Sequence, residues 1–374
     1  MRRIPVDLLS AGLKTARPIY DGQGRVLLNQ GVVLTERYIS RLKQFGIPAV
    51  YIDDGFGPGF EIEDVISEET RTWAVNQVKQ LFSPARLGEG QKPVVTLAEA
   101  AKVVERLVEE ILANKSTVVN LTDIRAYDEY TFGHSVNVAV LAILTGINLG
   151  YSRVRLFHLG MAALLHDVGK TRIPVNVLNK PQALTDEEFT LIKKHPVYGY
   201  EIINDDPGLG KLCALVALQH HERYNGEGYP QGLSGKEIHH FAGIAGMVDM
   251  YDALTSDRIY RKAYPPYEAY EMISGAGNTL FDYQLIGAFL DNVAAYPAGT
   301  LVKLNTGEIG VVVETRKGFS LSPRVRILFA ASGEPSLEQE EVSLAGQERL
   351  FISKVIEDHR MLPGIAARRE SGAD

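Results

Sequence analysis

The residues most suited to chemistry are an adjacent histidine and aspartate, His166 and Asp167, which lie in an otherwise apolar stretch, 161–168. Such polar neighbours add little to a hydrophobic core, whereas imidazole and carboxylate groups both offer lone pairs to a metal ion. Further donors of the same two kinds occur beside apolar residues: His134, His195, His220, His221 and Asp249. Together these side chains predict a metal centre.

The donor set contains nitrogen and oxygen but no thiolate, which favours iron, manganese or a similar divalent ion over structural zinc. The single cysteine, Cys213, excludes an intramolecular disulfide and a cysteine-rich zinc site. Seven donors are more than one ion needs, but two ions that share Asp167 would use them all. Two divalent cations about 3.5–4 Å apart are typical of enzymes that hydrolyse phosphoesters.

Each of these residues also has an ordinary structural interpretation. A histidine on an apolar helix is often a core residue, and the pair His220 and His221 could mark a helix end that faces solvent. The whole set is harder to explain in this way, because all of its members have apolar neighbours. The remaining histidines have more polar neighbours and are predicted to be surface residues: His158, His239, His240 and His359.

Three cations could contact a phosphate near such a centre. Lys170 follows His166 by four residues and is predicted on the same helical face. Arg258 and Arg261 could contribute further phosphate contacts, although a pair of surface arginines is the alternative interpretation.

A glycine-rich segment, 225–235, directly follows the histidine pair. Glycine allows the backbone to approach a ligand closely, and Tyr229 adds a ring and a hydroxyl group. Most glycine-rich segments are ordinary turns, so its position beside candidate ligands is what makes Gly228, Tyr229 and Pro230 candidate substrate contacts.

These residues must be positioned by the elements around them, and the hydrophobic pattern predicts a mainly α fold with four segments. The pattern over residues 1–58 predicts a small β/α module, with a hairpin near 17–28 and a helix capped by Thr35. Residues 59–296 are almost entirely helical. Residues 297–355 alternate as in a small antiparallel β module, and 356–374 are predicted to form a tail.

Within the helical segment, apolar residues recur at helical spacing in ten windows. Thr185 and Glu188 predict a capping box at the start of one of them. The windows are roughly 66–83, 97–114, 128–148, 153–167, 186–194, 197–204, 208–221, 237–255, 265–274 and 282–295. The candidate ligands therefore lie on several helices of one bundle.

The bulk properties exclude some classes of partner. The net charge of −7 and the lack of a basic block argue against duplex nucleic acid. The longest apolar stretch, Val136 to Leu149, is interrupted by polar residues and too short to span a bilayer. The N-terminus has no apolar run of signal-peptide length, so we expect a cytoplasmic protein.

The ordered motifs resemble the HD-GYP family of HD-type phosphohydrolases over residues 125–295. They are His166-Asp167 with Gly169-Lys170, then Lys180-Pro181, His195, His220-His221-Glu222, Gly228-Tyr229-Pro230 and Asp249. The resemblance implies an HD-type helical bundle that hydrolyses cyclic di-GMP to the linear dinucleotide pGpG and often onward to GMP.

The same resemblance implies roles for individual residues. One ion would be held by His134, His166, Asp167 and Asp249, and the other by Asp167, His195, His220 and His221. Asp167 and Lys170 would be the catalytic residues, with Lys170 contacting phosphate.

The chain departs from the family pattern at three positions. Some members bind a third ion through a glutamate where this chain has Tyr130, so we expect two metals and a reaction that stops at pGpG. Asn225 stands where aspartate is usual, and Ile259 replaces a proline. None of these changes removes a ligand.

Two alternatives remain at this stage. The substrate could be another phosphoester, such as cyclic GMP-AMP or a mononucleotide, which assays with a nucleotide panel would distinguish. The chain could instead be a non-catalytic sensor or scaffold, although a sensor can lose ligands freely and none is missing here. We expect any homo-oligomer contact or signalling partner to involve the terminal modules.

Overall fold

The structure is a computed structural model. It describes residues 2–21, 25–47, 49–53, 64–82, 97–114, 130–204, 210–256, 263–336 and 340–356. The chain divides into two compact units. The helical unit comprises residues 65–116 and 129–292, and the terminal unit comprises 1–64, 117–128 and 293–374. The two terminal modules, predicted as separate segments, thus fall into one unit.

The N-terminal part of the terminal unit is a small β/α module, as predicted. Its elements are β1 (Arg2–Pro5), β2 (Lys14–Thr15), β3 (Ile19–Tyr20), β4 (Val26–Leu28), α1 (Glu36–Gln44) and β5 (Ala49–Asp53). Strands β3 and β4 pair as the predicted hairpin, and β5 lies between β1 and β2. The Thr35 side chain accepts a hydrogen bond from the Tyr38 amide, which confirms the predicted N-cap.

The helical unit confirms the predicted mainly α fold. Within the described residues its helices are α2 (Glu68–Leu81), α3 (Leu97–Ala113), α4 (Tyr130–Asn148), α5 (Arg153–Leu165), α6 (Val175–Leu178), α7 (Asp186–Ile192), α8 (His195–Asn204), α9 (Gly210–Gln219), α10 (His240–Thr255), α11 (Pro266–Ser274) and α12 (Tyr283–Leu290). The capping box of Thr185 and Glu188 at the start of α7 is confirmed.

Helix α4 lies at the centre of this unit. Residues 133–146 are all buried, so the helix is covered on every side. This explains why its sequence is apolar on all faces, since a helix that is covered all round needs no polar stripe. Within the described residues, no helix is both long enough and apolar enough to cross a membrane.

The predicted helix 153–167 ends two residues early, at Leu165. His166 is its C-cap, Asp167 leaves the helical conformation with ψ near 7°, and a 3-10 helix follows over Val168–Arg172. The prediction that Lys170 shares a helical face with His166 is therefore wrong. The amide of Lys170 bonds to the carbonyl of Asp167 at 2.9 Å, so the lysine stands one tight turn after the aspartate.

The C-terminal part of the terminal unit is an antiparallel five-stranded sheet, in the order β10-β6-β7-β8-β9. Its strands are β6 (Leu301–Leu304), β7 (Ile309–Glu314), β8 (Arg324–Phe329), β9 (Glu341–Ser343) and β10 (Ile352–Val355). Residues 300–304, 309–314 and 324–329 have the apolar pattern of strands, so the sequence predicts the first three. The last two are short and mostly exposed, so they lack the alternating apolar pattern on which the prediction depends.

Candidate metal centre

The structure brings the seven predicted ligands together from five helices or helix ends. His134 lies in α4, His166 ends α5 with Asp167 next to it, and His195 begins α8. His220 and His221 follow α9, and Asp249 lies in α10. Two groups have donor atoms within 4.8 Å of one another: His134, His166 and Asp167, and Asp167, His195, His220 and His221.

Asp167 belongs to both groups because its two oxygens face different sides. Oδ2 lies 3.3 Å from His166 Nε2 and 3.6 Å from His134 Nε2. Oδ1 lies 3.3 Å from His195 Nε2 and 3.7 Å from His220 Nε2. The carboxylate is therefore placed to bridge two cations.

Asp249 joins the first group through His134. Its Oδ1 lies 3.1 Å from His134 Nε2, and its side chain is 13% exposed. This places Asp249 beside the His134 nitrogen that also faces Asp167.

Backbone contacts set the protonation of three of the histidines. The Nδ1 atoms of His166, His195 and His220 lie 2.6, 2.8 and 2.8 Å from the carbonyl oxygens of the residues three positions earlier. A carbonyl only accepts hydrogen bonds, so each Nδ1 carries a proton and Nε2 is the ring nitrogen that is left to bind a cation.

The Nε2 atoms of these rings lie close together, in an arrangement that a cation between them would satisfy. His195 Nε2 and His220 Nε2 are 3.2 Å apart, and two bare nitrogens at that distance repel each other. Among the described residues, the buried atoms His166 Nε2 and Asp167 Oδ1 have no hydrogen-bond partner. Since a buried polar atom is rarely left unsatisfied, this arrangement fits metal ions better than an ordinary polar core.

The charge state of the groups also suits metal binding. Burial lowers the pKa of His220 to about 4, and burial lowers the pKa of His221 well below its ordinary value. Burial alone would raise the pKa of Asp167, but the positive charge of the neighbouring Lys170 ammonium holds it well below its usual range. At neutral pH these imidazoles are neutral and this carboxylate is ionised, which are the forms that bind cations.

Lys170 lies beside the cluster, where its ammonium group forms an ion pair with Asp167 Oδ2. Its side chain is 28% exposed, so it also reaches solvent. Arg258, Ile259 and Arg261 lie outside the described residues, as does the side chain of Tyr130.

The predicted glycine-rich loop, 225–235, borders the cluster through Tyr229. The Tyr229 ring stacks on His221 with centroids 4.8 Å apart and planes 24° apart. Gly228 is also required by packing, because a Cβ atom there would lie 2.3 Å from the Arg223 amide nitrogen. Pro230 is exposed at the outer side of the loop.

Glu222 anchors this loop, a role that is not evident from the sequence. Its buried carboxylate accepts hydrogen bonds from the amides of Gln231 at 2.7 Å and Leu233 at 2.9 Å. The two bonds hold the far end of the loop against the segment that carries the histidine pair.

We expect Glu222→Ala to release the loop, because two partly buried amides lose their acceptor at roughly 1–3 kcal/mol each. Thermolysin should then cut within 225–235, because a released loop is a preferred site of proteolysis. Glu227→Ala is the control, since it removes an exposed carboxylate from the same loop. Equal protease resistance of the two variants would show that Glu222 does not hold the loop.

The histidines predicted to lie at the surface stay outside the cluster. His240 is exposed, and His158 and His239 are half-buried, with part of their surface open to solvent. His239 is covered because it caps α10, where its Nδ1 accepts a hydrogen bond from the Phe241 amide. His359 lies outside the described residues.

Two kinds of residue around the cluster were not predicted. Asp252 lies one turn after Asp249, and its Oδ2 is 2.7 Å from His134 Nδ1; the spacing of three residues on one helix is the signal that could have revealed it. Gly169 and Gly246 allow close backbone contacts with His195 and His220, at 1.9 and 2.1 Å from a notional Cβ to the carbonyl oxygen. No local sequence signal marks these contacts.

Comparison with known proteins gives two family matches. Residues 106–285 match a family described as HD domain, and residues 301–362 match a family described as KOW domain associated with HD domain. The two matches fall on the helical region and on the C-terminal sheet.

Several curated proteins are also similar. A cyclic di-GMP phosphodiesterase of Pseudomonas aeruginosa is 37% identical over 272 residues, which cover 72% of this chain and 64% of that protein. One from Thermotoga maritima is 33% identical over 217 residues, 58% of each protein. A 3'3'-cGAMP-specific phosphodiesterase of Vibrio cholerae is 35% identical over 163 residues, 44% of this chain and 35% of that protein. The chain thus spans less than two thirds of the length of these relatives.

Proposed function

We propose that this chain, which matches the HD domain family over residues 106–285, is a metal-dependent phosphodiesterase that hydrolyses cyclic di-GMP. The observation that carries the proposal is the shared position of Asp167, whose two oxygens each face a separate group of histidines. Two relatives named as cyclic di-GMP phosphodiesterases support the choice of substrate.

We assign the ligands to two divalent ions, iron or manganese. His134, His166, Asp167 and Asp249 would hold the first, and Asp167, His195, His220 and His221 the second. When bound, such a pair of ions supplies an activated water and neutralises phosphate oxygens. The neutral rings and ionised carboxylates described above are ready to bind them without a change of protonation.

Other residues have roles that follow from their positions. The Lys170 ammonium brings a positive charge to the edge of the cluster, where it stabilises negative charge that develops on a phosphate. Tyr229 covers one face of His221 and so limits access of solvent to that ligand. Asp167 and Lys170 are the catalytic residues in this proposal, and Gly228, Tyr229 and Pro230 border the substrate.

The completeness of the donor set favours an enzyme over a non-catalytic sensor. A sensor needs only to bind the dinucleotide, so its ligands are free to change, yet all seven converge here. Because Tyr130 replaces the glutamate that would serve a third ion, we propose that the product is pGpG.

The test is an assay of the full chain, loaded anaerobically with Fe²⁺ or Mn²⁺, against cyclic di-GMP, 3'3'-cGAMP and a linear dinucleotide. We expect two bound ions by elemental analysis and conversion of cyclic di-GMP to pGpG by chromatography. Preferred cleavage of 3'3'-cGAMP would transfer the proposal to that substrate, which one relative is named for. Two bound ions without cleavage of any nucleotide would support the sensor instead.

A further inference from the structure

We infer that Arg71, which precedes the family-matched region, positions the metal ligand His134 through Asn137 and Asp252. The inference rests on the metal centre that belongs to the proposed function. It adds a helix, α2, to the elements that this centre needs.

A continuous series of side-chain contacts connects the four residues. An Arg71 guanidinium nitrogen, Nη1, lies 3.3 Å from Asn137 Oδ1. The Asn137 Nδ2 amide donates to Asp252 Oδ1 at 3.0 Å. The other Asp252 oxygen, Oδ2, lies 2.7 Å from His134 Nδ1.

The chemistry of the first residue sets the direction of every later bond. A guanidinium group only donates, so the oxygen of Asn137 must face Arg71 and its amide nitrogen must face Asp252. The carboxylate of Asp252 only accepts, so His134 carries its proton on Nδ1. The Nε2 lone pair of His134 is then directed at Asp249 and Asp167, 3.1 and 3.6 Å away.

Side chains orient the ring of His134 and fix the position of its proton. Three of the other proposed ligands do not depend on side chains in this way. His166, His195 and His220 are oriented by backbone carbonyls near helix ends. His134 lies inside α4, where the carbonyls are engaged in helix hydrogen bonds. A carboxylate behind the ring is the common solution, and it also makes the ligand more basic.

Burial makes the series sensitive to the loss of any member. Arg71 is 7% exposed, Asn137 8% and Asp252 2%. Without Arg71, the Asn137 oxygen loses a donor, and the amide is no longer held in the orientation that donates to Asp252. Changes in such outer residues typically reduce metal affinity by about 10–100-fold.

Arg71 also lies outside the part of the chain that carries the known motifs. The family match begins at residue 106, whereas Arg71 lies in α2. Helix α2 packs into the helical unit through Ala74, Val75 and Val78, which are buried. We therefore assign α2 to the structure that supports the first ion.

The test compares Arg71→Met with Arg106→Met in the full chain by calorimetric titration with Mn²⁺. Arg106 connects α3 to α2 through Thr70 Oγ1 at 2.9 Å and Glu69 Oε1 at 3.1 Å, and its guanidinium lies over the Trp73 ring. The Arg106→Met variant thus removes an arginine that joins two helices at a different place. We expect Arg71→Met to weaken the binding of one Mn²⁺ ion by about 10–100-fold and to leave the affinity for the other ion unchanged. Arg106→Met should change neither affinity.

Thermal unfolding of the metal-free proteins separates a local effect from loss of structure. Arg71→Lys retains a donor and should restore much of the affinity, which also provides a test if Arg71→Met does not fold. The double variant Arg71→Met/Asn137→Leu should bind no more weakly than the weaker single variant, because both changes break one series.

The outcomes separate the two ideas. If the unaltered chain binds two ions and Arg71→Met binds both with the same affinities, the inference about Arg71 is wrong and the metal centre stands. Equal weakening by Arg71→Met and Arg106→Met would also contradict it, because general loosening of α2 would then explain the effect. If the unaltered chain binds fewer than two ions, the proposed metal centre fails, and the inference fails with it.

Discussion

Asp167→Asn is expected to reduce the proposed hydrolysis of cyclic di-GMP by more than ~100-fold, because a change behind a ligand already reduces metal affinity or activity by about 10–100-fold. The substitution preserves the shape of the side chain but replaces one oxygen by an amide nitrogen, which has no lone pair available to a cation. It also removes the negative charge that both groups of histidines share. We therefore expect the metal content to fall from two ions to at most one.

The structure explains why this position should outweigh any single histidine. Both oxygens of Asp167 lie within 3.3 Å of a ligand nitrogen, His166 Nε2 on one side and His195 Nε2 on the other. Each histidine, in contrast, belongs to only one of the two groups. Loss of the carboxylate therefore affects both predicted ions at once, whereas loss of one histidine affects one.

Asp291→Asn provides the control for the change in charge. Asp291 is exposed at the C-terminal end of α12, in the same unit. The Asp291→Asn variant should bind two ions and turn over substrate at the same rate as the unaltered chain. Retention of two ions and of turnover by Asp167→Asn would show that the carboxylate does not bridge them, and the assignment of both sites would have to be revised.

The members of the donor cluster were predictable because their residue types and local sequence mark them as candidates. Histidine and aspartate beside apolar residues are informative without knowledge of the fold, since such polar groups rarely occur in a core without a reason. The helical pattern was equally informative for long, regular segments such as α3 and α4. The sequence therefore indicated the members of the cluster before their proximity was known.

The break after α5 was less predictable, because it depends on a tertiary contact. The apolar pattern continues through His166 and Asp167, so periodicity alone extends the helix to residue 167. The chain instead tightens into a 3-10 turn there, and Gly169 meets the backbone of α8. Only the folded structure shows that the turn is needed to bring Asp167 and His195 together.

Arg71 and Asp252 illustrate the same limit at longer range. The contact between Arg71 and Asn137 joins residues 66 positions apart, and that between His134 and Asp252 joins residues 118 positions apart. An arginine in an amphipathic helix is normally a surface residue, and the local pattern of α2 does not distinguish this one. Side chains that act through another residue are identified by three-dimensional contacts rather than by spacing.

Gly169→Ala is the second prediction with a large expected effect. A Cβ atom at this position would lie 1.9 Å from the carbonyl oxygen of His195 and 2.5 Å from the amide nitrogen of Gly199. Both are backbone atoms of α8, so no side chain can rotate away to relieve the clash. The helix itself must move, and His195 moves with it.

We expect this variant to lose stability and the second ion together. Overpacking of this kind lowers the free energy of unfolding by roughly 1–3 kcal/mol, which corresponds to a fall in Tm of about 2–12 °C for a unit of this size. Displacement of His195 should reduce Mn²⁺ binding from two ions to one. Thermal unfolding and calorimetric titration measure the two effects separately.

Gly287→Ala is the matched control, because the same methyl group is added inside helix α12, where nothing lies within 4 Å of the new atom. Alanine favours the helix there, so this variant should be as stable as the parent or more stable by about 0.5–1 kcal/mol. Gly246→Ala tests the same principle at His220, whose carbonyl oxygen would lie 2.1 Å from the new Cβ. The contrary outcome is that Gly169→Ala and Gly246→Ala both match Gly287→Ala in stability and metal content. The close approach of these two glycines to the backbone would then not be needed to position His195 and His220.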